Sequence, residues 1–541
     1  MKVALAQINA YLGNFSENRK KILEFAHKAC DRSCDFVVFP EAALFGYHPV
    51  DLLERPSVVK EQLRELKTLH RQMPKGIAIL IGAITASPLK NGKLYNNSAV
   101  LLERGKKPRI FAKELLPTYD VFDEGRHIEP GDVTKNIFSW RGKRILVTIC
   151  EDIWAWPNGH HGKRSPYVEN PLKKIKAKDI DFVFNLSASP FTPDKPRGRL
   201  TVCRETAKYF NSPMVYVNGV GARGEVVFDG RSVGVSPKGK VVAQARHFCE
   251  DIIVYDSELG RGFKSSIEKE AVELHRQALV LGIRDFVYKT GFSHVHLGLS
   301  GGVDSAVVAC LAVDALGPDH VTCIFMPGPH SQEQSLQLAT KLATNLGVNS
   351  FCIDISQCYE LVAKTFRADV KEFTFGTVDE NFQARLRGMM LMGFGNLNAS
   401  LLLNTSNKSE LATGYSTLYG DLIGALCPIG DLLKTQVYEL AGHYNSQREL
   451  IPKTIIERPP SAELRPDQKD TDSLPPYDQL DPVVKALVEK FKTPTKPLEQ
   501  DILVRMMNSE FKRWQAPPIL KVSNHAFGRG RRLPVAHKSI F

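Results

Sequence analysis

The stretch HVHLGLSGGVDSAVVAC, residues 294–310, determines the architecture of the second half of the chain. Its apolar start predicts a buried strand over residues 295–299, and the small and apolar residues that follow predict a helix over residues 305–316. Gly301 and Gly302 stand between the two, where backbone without side chains can turn tightly and approach a ligand. Because a helix N-terminus also presents unpaired N–H groups and the positive end of its dipole, the stretch predicts a phosphate-binding loop.

The sequence of this loop excludes two common kinds of phosphate-binding motif. No Gly-Lys-Ser/Thr sequence follows at the Walker A spacing, and the loop does not fit the GxGxxG pattern of dinucleotide-binding dehydrogenases. The hydroxyl groups of Ser300 and Ser305 can donate to phosphate oxygens, and the carboxylate of Asp304 can hold Mg²⁺ against a phosphate. A glycine pair before a helix is also common as a simple tight turn, and these three side chains favour the nucleotide site.

Apolar runs alternate with helical patterns on both sides of this loop, which is typical of α/β domains. Before the loop, the pattern predicts strands over residues 3–8, 36–39, 77–84, 145–149, 182–186 and 214–217, and helices over residues 17–30, 58–71 and 267–289. After it, a strand over residues 321–325 precedes a helix that ends near residue 346.

Two changes in composition divide the chain further. Glycines and charges at residues 256–266 predict a linker, so we expect a first domain over residues 1–255 and a second over residues 267–541. The stretch at residues 457–480 is rich in proline and charge and predicts a surface loop.

The composition of the 541-residue chain, with 43% hydrophobic and 24% charged residues, excludes wholesale disorder. Its formal net charge of +12 favours anionic ligands, but a nucleotide is as much a polyanion as a nucleic acid is. The basic residues are dispersed, and only residues 528–532, GRGRR, approach a basic run. We therefore expect no nucleic-acid partner.

Cysteine spacing and hydropathy indicate the compartment. The ten cysteines are too few and too irregularly spaced for a disulfide scaffold, and Cys30 and Cys34 lack a second pair that would complete a zinc site. The N-terminal residues MKVALAQINAYLG do not fit a signal peptide, and no apolar run approaches the ~18 residues that indicate a membrane span. We expect a soluble, cytoplasmic protein with no membrane partner.

Three reactive side chains in the first half follow or flank predicted strands: Glu41 in FVVFPE, Lys113 in FAKELLPTYDVFDEGR and Cys150 at the end of RILVTIC. Each alone is compatible with a structural or surface role, but together they supply a base, a cation and a nucleophile for attack on an amide. Glu41 could take the thiol proton, and Lys113 could stabilise the oxyanion of the tetrahedral intermediate. Because Glu151 and Asp152 would disfavour a thiolate at Cys150, a positive partner is required.

The segments VVFPEAALFGY, KELLPTYDVFDEGR and ILVTICEDIW, in this order, resemble the three signature segments of the nitrilase-like amidohydrolase family. The resemblance covers about residues 1–255 and implies an αββα sandwich with the triad Glu41, Lys113 and Cys150. It further implies a supporting glutamate, Glu124, and, from the glutaminase branch of the family, the glutamine-binding residues Tyr119, Ser189 and Lys195.

The loop SGGVDS resembles the pyrophosphate loop of ATP pyrophosphatases, and DENFQARLRGMML (379–391) with residues 401–440 resembles the NAD synthetase family. These resemblances imply a parallel-sheet α/β domain in which ATP is cleaved between its α and β phosphates. The ATP-binding residues that they imply are Gly298, Leu299, Ser300, Gly301, Gly302, Val303, Asp304, Ser305, Thr405 and Lys434. They also imply Asp304 and Glu410 as Mg²⁺ ligands, and Asn381, Arg385, Glu410 and Lys521 as deamido-NAD-binding residues.

Together the two resemblances imply a ligase that adenylates deamido-NAD with Mg·ATP and amidates it with ammonia from L-glutamine, the final step of NAD biosynthesis. The expected partners are ATP, deamido-NAD and L-glutamine, and we expect a homo-oligomer. Two alternatives stay open. The chain could be another adenylating amidotransferase, such as one acting on a nucleotide base, or its first domain could be a binding module, with ammonia taken from solution. Product analysis distinguishes the first alternative and a glutaminase assay the second.

Overall fold

The computed structural model describes residues 1–157, 165–266, 270–370 and 375–537. The chain divides into two compact units, Met1–Glu268 and Lys269–Phe541.

The first unit contains two large β-sheets and three α-helices among its described residues. The helices are α1 (Phe15–Asp31), α2 (Pro56–Gln72) and α3 (Lys195–Phe210). The strands are β1 (Lys2–Gln7), β2 (Phe36–Val38), β3 (Ala78–Ala86), β4 (Tyr95–Leu102), β5 (Arg109–Ala112), β6 (Ile137–Trp140), β7 (Lys143–Ile149), β8 (Phe182–Ser187), β9 (Met214–Asn218), β10 (Val220–Arg223), β11 (Val226–Asp229), β12 (Val233–Val235), β13 (Val241–Gln244), β14 (Asp251–Asp256) and β15 (Arg261–Gly262). The first sheet has the order β15-β14-β1-β2-β3-β4-β5, the second β13-β12-β9-β8-β7-β6, and β10 pairs with β11.

The two sheets pack face to face around a shared apolar core that includes Val38 of β2 and Phe184 of β8, both fully buried. Helices α1 and α2 cover the outer face of the first sheet, and α3 covers that of the second. This arrangement confirms the αββα sandwich. The central strands β1, β2, β7, β8 and β9 are buried on both faces, which is why they read as continuous apolar runs in the sequence.

The stretch at residues 256–266, predicted as a linker, belongs instead to the edge of the first sheet. Strand β14 pairs antiparallel with the whole of β1, and β15 pairs antiparallel with β14. Beyond β15, the N–H group of Gln244 donates to the carbonyl of Phe263 at 2.8 Å. The glycines and charges of this stretch form the turn and edge of a hairpin, and both features are as common there as in a linker.

The second unit contains a four-stranded parallel sheet of order β18-β17-β16-β19, as expected. Its strands are β16 (Val295–Gly298), β17 (Val321–Phe325), β18 (Asn349–Cys352) and β19 (Leu401–Leu402). Its helices are α4 (Ala271–Lys289), α5 (Val303–Leu316), α6 (Glu333–Leu346), α7 (Ser356–Asp369), α8 (Thr377–Asn398), α9 (Lys408–Thr413), α10 (Lys434–Tyr444), α11 (Lys453–Glu457), α12 (Tyr477–Glu489), α13 (Pro497–Asn508) and α14 (Glu510–Arg513).

Strands and helices around the phosphate loop agree with the sequence pattern within a few residues. Helix α4 begins at Ala271, and residues 267–269 of the predicted helix lie outside the described residues. In the proline-rich stretch, residues 458–469 form a loop, as predicted, in which every residue except Gln468 is exposed or half-exposed, and residues 458–464 also line a cavity beside the phosphate loop. Within the described part of the chain, no helix is both long and apolar enough to cross a membrane.

Candidate active sites

A buried lysine joins two carboxylates in the first unit. Lys113 follows β5 and Glu41 follows β2, and neither side chain is exposed. The Nζ atom of Lys113 donates to Glu41 Oε1 at 2.7 Å and to both carboxylate oxygens of Glu124 at 2.8 Å. Burial alone would lower the pKa of Lys113, but the charges of Glu124 and Glu41 raise it well above its usual range. The lysine is therefore a fixed positive charge in a dry site.

Further hydrogen bonds fix the orientation of the Glu41 carboxylate. Its Oε1 atom also accepts from Asn97 Nδ2 at 2.7 Å, and its Oε2 atom accepts from the N–H group of Ala188 at 3.0 Å. Burial raises the pKa of Glu41 above its ordinary value, although the charge of Lys113 opposes this increase. A raised pKa makes this carboxylate a stronger base than an exposed glutamate.

Cys150 lies at a sharp turn at the end of β7. Its φ of +41° is in the left-handed region, which non-glycine residues rarely adopt outside strained or functional positions. A short 3₁₀ helix, Cys150–Ile153, begins at the same residue. Burial raises the pKa of the thiol well above its usual range, the charge of Glu41 adds to the increase, and Lys113 opposes it. The resting thiol is protonated, so attack requires transfer of its proton to a base.

The two acidic residues after the cysteine have different roles. The charge of Glu151 raises the thiol pKa, as the sequence suggested. Asp152 instead accepts three backbone N–H groups, those of Glu114 and Leu115 at one oxygen and that of Ile149 at the other. It therefore ties the segment after the buried lysine to the turn that carries the thiol.

The predicted glutamine-binding residues lie around this turn. The hydroxyl of Tyr119 donates to Glu151 Oε1 at 2.8 Å, and that of Tyr167 donates to the same atom at 2.9 Å. Lys195, the first residue of α3, has its Nζ atom 4.1 Å from the ring centroid of Trp154, which directly follows the turn.

Ser189 follows β8 and is held by a buried arginine. Its N–H group donates to Asn218 Oδ1 at 2.8 Å, and its hydroxyl accepts from Arg199 Nε at 3.1 Å. Arg199 in turn forms an ion pair with Asp229 at 2.5 Å. This ion pair fixes the start of the segment that connects β8 to α3.

Sequence reasoning did not identify two polar contacts of this site. The hydroxyl of Tyr47 donates to Glu124 Oε1 at 2.6 Å, and Arg199 supports Ser189. Tyr47 belongs to the same signature segment as Glu41, the candidate base. The sequence therefore showed its motif but not its contact with Glu124. Arg199 lies within α3, where its spacing from the strands carries no signal.

The predicted phosphate loop of the second unit has a tightly packed backbone. Gly301 has a φ of +79°, and a Cβ atom there would lie 2.5 Å from the carbonyl oxygen of Ser335, so only glycine fits. The hydroxyl of Ser300 accepts from the N–H group of Gly302 at 3.2 Å and lies 3.1 Å from the hydroxyl of Ser305. Both hydroxyls are thereby held at the N-terminus of α5.

Lys434 contacts both predicted metal ligands. Its Nζ atom lies 2.5 Å from Asp304 Oδ2 and 3.4 Å from Glu410 Oε1. Asn407 aligns the same two acids, since its Nδ2 atom donates to Asp304 at 2.9 Å and its Oδ1 atom accepts the N–H group of Glu410 at 3.0 Å. The side chains of three separate elements therefore converge on one point.

The donor set at this point fits Mg²⁺, which prefers carboxylate and phosphate oxygens. A third carboxylate, that of Asp470, lines the same cavity as Asp304 and Glu410. Burial raises the pKa of Glu410 to about 8 despite the charge of Lys434, and burial also raises the pKa of Asp470. A bound cation would favour the ionised form of both acids.

The cavity beside the loop has a volume of about 300 Å³. Residues from several separate segments line it, and those that carry the argument are Ser300, Thr405, Glu410, Lys434, Arg458 and Asp470. Every residue of the predicted loop over residues 298–305 except Gly301 is also part of the lining.

Asn381, Arg385 and Lys521 are not among the residues that line this cavity. Asn381 Oδ1 accepts from the hydroxyl of Thr417 at 2.7 Å, and Arg385 Nε donates to the carbonyl of Leu418 at 3.2 Å. Both residues therefore lie on the side of α8 that faces residues 417–418. Lys521 is buried, and its Nζ atom donates to two backbone carbonyls of its own segment. Their assignment to deamido-NAD stays a prediction.

Comparison with known proteins gives a consistent result over the whole chain. Residues 2–262 match the carbon-nitrogen hydrolase family, and residues 275–516 match the NAD synthase family. A protein of Synechocystis sp. named glutamine-dependent NAD(+) synthetase is 43% identical, with 99% of this chain and 98% of that protein aligned. The protein of the same name from Aquifex aeolicus is 37% identical, with 99% of each chain aligned.

A solved structure resembles the chain over the same length. The structure of the glutamine-dependent NAD+ synthetase from Acinetobacter baumannii in complex with ADP has a TM-score of 0.77 and 32% identity, over 99% of this chain and 98% of that one.

Proposed function

The chain belongs to the glutamine-dependent NAD(+) synthetase family, and we propose that its two units carry the two half-reactions of that activity. The overall reaction converts deamido-NAD, ATP, L-glutamine and water into NAD, AMP, pyrophosphate and glutamate. We assign glutamine hydrolysis to the first unit and adenylation with amide formation to the second.

In the first unit, we assign the nucleophile to Cys150 and the base to Glu41. The thiol sulfur attacks the carboxamide carbon of glutamine while its proton passes to Glu41, and the ammonium of Lys113 stabilises the oxyanion. The same proton then passes to the departing amine, ammonia leaves, and a thioester remains on Cys150. Water hydrolyses the thioester to glutamate and restores the thiol. Glu124 supports this chemistry by holding the ammonium of Lys113.

Three residues around the Cys150 turn are suited to bind glutamine. The ammonium of Lys195 can pair with the α-carboxylate of the substrate, and the hydroxyl groups of Tyr119 and Ser189 can bind its polar groups. These assignments are supported by the position of the three residues on segments that border the turn.

In the second unit, we assign ATP to the cavity beside residues 298–305, with Thr405 on its wall and Lys434 at the phosphates. The carboxylate of deamido-NAD attacks the α-phosphorus and pyrophosphate leaves, which gives an acyl adenylate. Ammonia then attacks the acyl carbon and AMP departs. Mg²⁺, held by Asp304 and Glu410, would neutralise phosphate charge. Asn381, Arg385, Glu410 and Lys521 are the proposed contacts of deamido-NAD.

The observation that carries this proposal is the buried Lys113 between two glutamates beside Cys150, in a chain that also holds the predicted phosphate loop. The test is product analysis with Mg·ATP, deamido-NAD and glutamine labelled with ¹⁵N at its amide. We expect labelled NAD with AMP, pyrophosphate and glutamate in equal amounts. Glutamate without NAD, or amidation of a different acceptor, would contradict the proposal. We also propose a cytoplasmic location and a homo-oligomeric state. Size-exclusion chromatography with light scattering tests the oligomeric state.

A further inference from the structure

Arg458 and Glu463 form a contact at the wall of the nucleotide cavity that the proposed mechanism does not use. Both residues belong to the proline-rich stretch after α11 and line the cavity. Arg458 NH1 lies 3.5 Å from Glu463 Oε1, and the two side chains are only 18% and 13% exposed. The same NH1 atom donates to the hydroxyl of Ser335 at 2.7 Å.

Ser335 connects this contact to the phosphate loop. Its carbonyl oxygen packs against Gly301 so closely that a Cβ atom there would lie 2.5 Å away. Its hydroxyl donates to Glu463 Oε1, and the N–H group of Gln332 donates to Glu463 Oε2 at 3.3 Å. One residue therefore separates the guanidinium of Arg458 from the phosphate loop.

The carboxylate of Glu463 thus occupies a set of donors that also suits a phosphate oxygen. A guanidinium, a hydroxyl and a backbone N–H group converge on it. Phosphate carries more charge than a carboxylate and accepts guanidinium hydrogen bonds in the same bidentate geometry. At 3.5 Å, the contact between Arg458 and Glu463 is long for a charge-assisted hydrogen bond, so the guanidinium has a weak internal partner.

We propose that Arg458 binds the polyphosphate of ATP and that Glu463 competes with ATP for it. The inference rests on the proposed function, because it takes the cavity to be the ATP site. On this proposal, the proline-rich stretch is part of the nucleotide site, and Glu463 is an internal anion that weakens ATP binding.

Two variants of the same contact test the proposal because they are expected to act in opposite directions. Calorimetric titration of the full chain with Mg·ATP, in the absence of deamido-NAD, measures affinity without turnover. Arg458→Gln should weaken ATP binding about 10–100-fold, the scale of one charge-assisted contact to phosphate. Glu463→Gln should tighten it by about two- to fivefold, because the competing charge is gone while the side-chain shape is kept.

Arg465→Gln is the matched control. Arg465 lies in the same stretch, forms an ion pair with Asp472 at 3.1 Å and is not among the residues that line the cavity. Its affinity for Mg·ATP should stay within about twofold of the parent value. Thermal melting of each variant checks that it is folded.

A purely structural contact would give a different pattern. Each substitution breaks the same Arg–Glu pair, so a structural role would shift ATP affinity in the same direction in both variants, and this result would overturn the proposal. An Arg458→Gln protein with parental affinity would also overturn it while leaving the proposed function intact. If Arg458→Gln does not fold, weaker binding by Glu463→Gln is sufficient to overturn it. A parent chain that binds no Mg·ATP would overturn both the inference and the assigned ATP site.

Discussion

The two candidate sites differ in how far their charged groups are exposed. In the first unit, Lys113 is enclosed between Glu41 and Glu124, and every one of these groups is buried and hydrogen-bonded. In the second unit, Lys434 lies against Asp304 and Glu410, and burial still raises the pKa of Glu410 to about 8. Both sites hold more acidic than basic groups, but those of the first are closed off from solvent, whereas the side chains of Asp304 and Glu410 are 17% and 16% exposed and line a cavity, where the proposed cation and nucleotide would bind.

Both sites nevertheless occupy the same position relative to a sheet. Glu41 and Cys150 follow β2 and β7, and the phosphate loop follows β16, so each site lies at the carboxyl ends of parallel strands. In α/β folds, these ends are where connecting loops leave the sheet and where ligands bind. The difference between the sites thus comes from the side chains on the loops, and substitutions there should affect the two half-reactions separately.

Cys150→Ala should separate the half-reactions most completely. Glutamine-dependent NAD synthesis should fall by roughly 10⁵-fold or more, the scale of losing a covalent nucleophile, while synthesis from high ammonium should stay near the parental rate. Parallel assays with glutamine and ammonium chloride measure both. A folded variant that loses both activities would mean that the two sites are not separable.

Asp304→Asn and Glu410→Gln should remove synthesis from both nitrogen sources, because each carboxylate is proposed to hold the metal on the phosphates. The expected loss is about 10²–10³-fold with glutamine and with ammonium alike. Asp472→Asn is a suitable control, since Asp472 is paired with Arg465 and does not line the cavity. Near-normal turnover with ammonium by either variant would refute the metal assignment.

Tyr47→Phe tests the support of Lys113 by removing a single oxygen atom. The variant removes the hydroxyl that donates to Glu124 at 2.6 Å and leaves the ring in place. Because Glu124 holds Lys113, we expect kcat for glutamate release to fall by about tenfold, with ammonium-dependent synthesis unchanged. Tyr209→Phe, which removes a weaker 3.4 Å bond to a backbone carbonyl, should leave both rates unaltered.

Communication between the two half-reactions should appear as a change in rate that requires no substitution. The thiol pKa of Cys150 is raised by burial, and the charge of Glu41 adds to it while Lys113 opposes it, so small changes in the distance to Lys113 would alter reactivity. We expect Mg·ATP with deamido-NAD to increase glutamate release from saturating glutamine by about 5–100-fold. Equal rates with and without these substrates would show that the sites act independently.

Different parts of the fold were accessible to sequence reasoning to different degrees. The strands that run through the centre of each sheet were found because burial on both faces requires continuous apolar residues. The antiparallel pair β14 and β15 was missed because one strand lies at a sheet edge and the other alternates between buried and half-buried residues. The predicted linker over residues 256–266 therefore lies before the boundary between the two units, which falls between Glu268 and Lys269.

Helix α8 shows how packing assigns different neighbours to different sides of one helix. Asn381, Arg385 and Arg387 all lie on α8, but only Arg387 lines the cavity, since residues 384, 387, 388 and 391 share that face. Spacing along a helix predicts which residues share a side, but the neighbour that covers each side depends on packing in three dimensions.

By itself, the amino-acid sequence determined the two α/β units and predicted the triad Glu41, Lys113 and Cys150 and the phosphate loop, because each depends on short runs with fixed local chemistry. Tertiary structure alone brought Glu124 and Tyr47 to the ammonium of Lys113. It also placed the proline-rich stretch, with Arg458, against the nucleotide cavity. The physical reason is that these contacts join segments distant along the chain, where hydrogen bonding and burial act between surfaces that exist only after folding.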